Sequence, residues 1–176
     1  MSVQLKIALQ KAMIYGGAVV VLAILQTAFF SRFPLFGATP DLMLAAVLAV
    51  AMFEGERAGC AIGIGAGYFI EAIGSVGLSI LPLFYMICGA VCGLLCRRAF
   101  SRGPITFVLF SLAAYAARAM VTLIYMSYFW GNFNLLDAFS RILIPEYFSG
   151  VIFSLLPFVI IRLLAKIFHR TRELDR

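Results

Sequence analysis

Gly59-Cys60-Ala61-Ile62-Gly63-Ile64-Gly65-Ala66-Gly67-Tyr68-Phe69-Ile70-Glu71 carries no charge until its last residue. Gly59, Gly63 and Gly67 recur at steps of four, and the next step lands on Glu71. Steps of four keep residues on one side of an α-helix, so the stretch reads as a helix with a bare stripe ending in a carboxylate. A stripe without side chains lets a neighbouring helix backbone come very close. An acid on that stripe gives the contact a polar terminus that needs a partner. Two readings stay open: tight packing inside one membrane domain with a solvated glutamate, or a contact surface for a partner or ligand.

The rest of the 176-residue chain has the same apolar character. It is 64% hydrophobic and 12% charged, against about 45–50% and about 25% in soluble domains. That makes it a membrane protein, and its length suits one integral domain over residues 1–176. The formal charge of +6 is not gathered into a basic patch with interleaved aromatics, so nucleic acid is not expected as a partner. Lys6 and Lys11 precede an apolar run, but Phe29-Phe30-Ser31-Arg32 is not a small-residue cleavage site, and the run reads as a retained first helix.

Six apolar segments emerge: Met13–Phe30, Thr39–Phe53, Ala58–Ile73, Ile80–Cys96, Pro104–Phe129 and Tyr147–Ala165. A span needs about 20 residues, within about 17–25. The first, fifth and sixth meet that length. The second and third are short and joined by Glu54-Gly55-Glu56-Arg57, which suggests a helical hairpin, with a re-entrant pair as the alternative. Thr39 is a candidate cap for the second helix, Pro40 suits its first turn, and Asp41 lies where the helix dipole favours an acid.

The expected fold is therefore all-α: a polytopic membrane protein of six transmembrane helices. Six spans put both termini on one side, and charge selects it. Lys6, Lys11, Arg57, Arg97, Arg98, Arg102, Arg162, Lys166, Arg170, Arg172 and Arg176 share that side, against Arg32 and Arg141 opposite. The positive-inside rule makes both termini cytoplasmic. Tyr125, Tyr128, Phe129 and Trp130 form the aromatic belt expected at the outer end of the fifth helix.

Chemistry is sparse. Arg118 lies far from both ends of its helix, where insertion costs about 2.5–3.5 kcal/mol. In this topology Asp41, Glu71 and Glu146 belong to the outer half of the membrane or its edge. We expect Arg118 to join them in a polar cluster, with Arg118–Glu71 the first pairing to test. Cys88, Cys92 and Cys96 share one helix face, but the only histidine, His169, is in the terminal tail. They read as small packing residues beside Gly89 and Gly93, and no metal is expected. Zinc-helix, serine-nucleophile and phosphate-loop signatures are missing, so neither catalysis nor a cofactor is expected.

The motifs of residues 40–96 resemble the rod shape-determining MreD family of bacterial membrane proteins. Carrying the resemblance are Pro40-Asp41-Leu42-Met43-Leu44, Glu56-Arg57-Ala58-Gly59 and Gly63-x-x-x-Gly67-Tyr68-x-x-Glu71. An outer turn Gly74-Ser75-Val76-Gly77-Leu78 follows, and then Gly89 and Gly93. The family usually has aspartate where this chain has Glu71. The resemblance implies a non-enzymatic component of the elongation machinery in the bacterial cytoplasmic membrane. Its partners would be an MreC-type bitopic protein, a RodA-type glycosyltransferase and a penicillin-binding transpeptidase. Gly59, Gly63, Gly67, Gly89 and Gly93 would then serve helix packing or a partner interface. The family is also similar to the six-helix substrate-binding components of energy-coupling vitamin transporters, which supplies the alternative: a subunit holding a small nutrient.

Overall fold

The computed structural model describes residues 3–30, 40–74, 80–98, 100–129 and 144–174. All secondary structure among them is helical: α1 (Val3–Leu25), continued by a π-helical turn (Gln26–Phe30), then α2 (Leu42–Glu54), α3 (Glu56–Gly74), α4 (Leu81–Arg98), α5 (Pro104–Phe129), α6 (Ile144–Phe153) and α7 (Leu155–Leu174). Three stretches are long and apolar enough to cross a membrane: Leu81–Arg98, Pro104–Tyr125 and Tyr147–Ile167. The last runs through α6 and α7 and is interrupted at Ser154. Pro157 has no N–H for the Phe153 carbonyl, and its ring crowds that carbonyl, which breaks the helix there.

Helix α2 is the centre of the molecule. Every residue from Leu42 to Met52 is buried, and α1, α3, α4, α5, α6 and α7 all touch it. A helix that is apolar all round belongs inside a protein or a membrane, and α2 is inside the protein. Its 13 residues rise only about 20 Å, short of the roughly 30 Å hydrocarbon layer. It is capped by Asp41, whose side chain accepts from the Met43 and Leu44 amides, and not by Thr39. Thr39 lies outside the described residues, and Pro40 precedes the helix instead of opening it. Gly55, at φ +95°, takes a left-handed conformation that favours glycine and turns the chain from α2 straight into α3.

The outer faces carry large apolar side chains: Val21 and Ile24 on α1, Leu83 and Ile87 on α4, Ile105 and Ile124 on α5, and Leu163 and Ile167 on α7 are all exposed. Exposed apolar surface on this scale marks a lipid-facing or partner-facing boundary. Together with the three long apolar helices, it makes this a membrane protein.

The glycine stripe is used within the chain. A Cβ at Gly59 would sit 2.8 Å from the Gly89 carbonyl oxygen, and one at Gly63 would sit 2.6 Å from that of Tyr85. One at Gly67 would collide with Pro82, and one at Gly93 would lie 2.5 Å from the Glu56 nitrogen. The α3 and α4 backbones are therefore in direct contact, and Gly59, Gly63, Gly67, Gly89 and Gly93 pack these two helices together. No room remains on that face for a partner helix. Gly65, two residues off the stripe, has open space beside it.

Candidate functional site

The buried polar centre forms around the first residue before α2. Asp41 is 2% exposed, a position that an acid tolerates only when its charge is paired and hydrogen-bonded. Its Oδ1 accepts from the Met43 and Leu44 amides at 3.1 and 3.3 Å. Its Oδ2 accepts from the Tyr85 hydroxyl of α4 and from Arg118 Nη1 of α5. Arg118 also donates to the Tyr85 oxygen, and its guanidinium carbon lies 5.9 Å from the centre of that ring. Tyr115, one turn before Arg118, donates to the Asp41 backbone carbonyl at 2.6 Å.

Helix α1 completes the arrangement. Gln26 Oε1, in the π-helical turn, accepts from the Leu42 and Met43 amides at 3.0 and 3.3 Å. The opening amides of α2 are thus met by two side chains, one from its own cap and one from α1. Four parts of the chain converge on one helix end, and each contributes a polar group that would be costly to bury alone.

Gly150 of α6 fixes the placement of Tyr115. A Cβ there would fall 2.7 Å from the Tyr115 ring, so the bare backbone of α6 forms the wall against which the ring rests. Tyr85 is similarly backed by the glycine stripe, since its own carbonyl is the atom nearest to Gly63.

The other end of α2 carries a second polar knot. Glu54 accepts from Lys11 Nζ at 2.6 and 2.8 Å and from the Tyr15 hydroxyl at 2.9 Å. An apolar helix has little to fix its rotation or axial position. Here both termini are tied to neighbouring helices.

The expected polar cluster forms in part. Asp41 and Arg118 meet, and the arginine turns inward to that acid, so its ion pair is with Asp41 and not with Glu71. Glu71 is half-buried in the last turn of α3 and makes no hydrogen bond or ion pair among the described residues. Glu146 falls in the first turn of α6, with its side chain outside the described set. Gly74 ends α3, and Gly77 lies outside the described residues. Sequence reasoning missed Gln26, Tyr85 and Tyr115. Each is a polar side chain inside an apolar run, the same signal that singled out Arg118. Cys92 donates to the Leu48 carbonyl at 3.6 Å, so it packs on α2 as a small, weakly polar residue.

Comparison with protein-family models, with curated proteins and with solved structures finds no match.

Proposed function

We propose that this chain is a non-enzymatic membrane scaffold of the MreD type. In this reading it works in the bacterial cytoplasmic membrane as part of the cell elongation machinery. It holds an MreC-type bitopic protein in register with a RodA-type glycosyltransferase and its transpeptidase. Both termini are cytoplasmic, and the Asp41–Arg118 centre lies in the outer half of the bilayer. With α1, α2 and α3, the three long apolar stretches would complete a six-helix domain similar to the substrate-binding components of energy-coupling transporters.

The observation that favours a scaffold over a nutrient-binding subunit is the use of Asp41. Both carboxylate oxygens and the backbone carbonyl are engaged by partners within the chain. A binding site needs polar groups that converge on a ligand, whereas these converge on one another. Such a knot rigidifies a helix bundle and fixes the surface it presents. The partner surface would then lie on the exposed apolar faces and not on the glycine stripe.

Purification of the full chain from native membranes tests the proposal. Recovery of a bitopic protein with a periplasmic coiled coil is expected, and depletion should turn rod-shaped cells round. Recovery of a transporter ATPase with normal cell shape would favour the nutrient-binding subunit instead.

A further inference from the structure

At the end of α2 away from Asp41, the α2–α3 turn, the last turn of α4 and the connection into α5 border an open cavity of about 430 Å³. Arg57, Arg97 and Arg102 line it, with Glu56 and Gly93. Its charges do not balance internally. Glu54 borders the cavity but is already held by Lys11 and Tyr15. Glu56 takes Arg97 on Oε1 at 3.3 Å, while its Oε2 is buried with no hydrogen-bond partner among the described residues. Arg57 and Arg102 are exposed and make no hydrogen bond or ion pair among the described residues. The Arg97 side chain is 73% exposed, so most of its donors remain available. The site therefore offers several guanidinium groups beside one partly exposed carboxylate.

An apolar row ends at the same end of α4. Leu83, Ile87, Val91 and Leu94 are exposed along one side of α4, at the helical spacing that makes a continuous strip. The strip runs toward Arg97 and Arg98, which close the candidate span Leu81–Arg98. Lipid chains lie along such a strip, and a headgroup arrives where it ends.

We propose that the cavity binds one phospholipid headgroup, with the phosphate among Arg57, Arg97 and Arg102 and a headgroup hydroxyl or ammonium donating to the partly exposed Glu56 carboxylate. Guanidinium groups match phosphate oxygens in geometry and charge. The adjacent carboxylate selects headgroups that carry a donor, such as phosphatidylglycerol, over phosphatidylcholine, whose quaternary ammonium has none. A soluble phosphate ester shares the phosphate chemistry, but the apolar strip has no use in holding one. The site does not depend on the scaffold reading.

Native mass spectrometry of the detergent-solubilised full chain, with phosphatidylglycerol, phosphatidylcholine or inorganic phosphate added, tests this. We expect one retained phosphatidylglycerol per chain and roughly tenfold less retention by an Arg57→Gln/Arg102→Gln variant, for the loss of two charge-assisted contacts. Lys166→Gln, at an exposed basic residue of α7 that does not line the cavity, should retain lipid like the unaltered chain. Glu56→Ala should abolish the preference over phosphatidylcholine. Equal retention of the two lipids by the unaltered chain, or undiminished retention by the double variant, overturns the proposal. Displacement of the lipid by millimolar inorganic phosphate also overturns it, in favour of a free phosphate ester.

Discussion

Asp41 has two duties, and the balance between them decides what each substitution removes. As a cap it accepts two amide hydrogens, which Asn preserves; as a counter-ion it neutralises Arg118, which Asn does not. Breaking a buried pair from one side typically costs about 3–5 kcal/mol, so Asp41→Asn and Arg118→Gln should each lower the unfolding temperature of the purified protein markedly. Asp41→Ala should lose about 1 kcal/mol more than Asp41→Asn, for the cap. The Asp41→Asn/Arg118→Gln double variant should be no less stable than the worse single, because the two losses share one contact. Additive losses would assign the residues to separate contacts. Glu71→Gln should leave the unfolding temperature unchanged, since no ion pair among the described residues depends on it. A large drop there would restore Glu71 as the partner of Arg118.

The glycine spacing of helix α3 predicts opposite outcomes for substitutions two residues apart. Gly63→Ala forces a methyl to 2.6 Å from the Tyr85 carbonyl oxygen, and backbone cannot yield as a flexible side chain can. We expect a loss of about 1–3 kcal/mol, as for other overpacked sites, with Tyr85 displaced from Asp41 as a consequence. At Gly65 a methyl meets nothing within 4 Å. It borders an apolar cleft of about 260 Å³ between α1 and α3. Gly65→Ala should therefore stabilise the protein by about 0.5–1 kcal/mol through helix propensity. Thermal unfolding in detergent reads both signs, and equal damage at the two positions would refute the stripe geometry. Gly150→Ala tests the wall behind Tyr115. It should cost at least as much as Tyr115→Phe, about 1 kcal/mol for the lost hydrogen bond.

Across the whole molecule, short helices and long ones divide the work. Three helical stretches are long and apolar enough to cross a bilayer, whereas α2 is enclosed by protein. Buried backbone ends survive at membrane depth only when protein groups satisfy them, and the Gln26 and Asp41 side chains do so at the start of α2. The proposed orientation has its own test. Reporter fusions at Arg102 and after Arg176 should be active only in a cytoplasmic format, and one near Asn134 only in a periplasmic format. A periplasmic carboxyl terminus would mean that an odd number of segments crosses.

Local sequence determined the helical class, the membrane setting and the stripe, because each depends on the chain's own periodicity and composition. Gly59, Gly63 and Gly67 share a face in any helix, and a 64% hydrophobic chain needs an apolar surround wherever its helices lie. The partner of Arg118 was a different kind of question. Asp41 and Glu71 were both acids near a helix end, and the first pairing expected, Arg118 with Glu71, had no support along the chain that Asp41 lacked. Tertiary structure chose Asp41 by bringing α4 and α5 to the start of α2, where Tyr85 and Tyr115 complete the hydrogen bonding that a buried carboxylate requires. It likewise turned the glycine stripe inward onto α4, since a bare face pairs with whichever backbone the fold brings nearest.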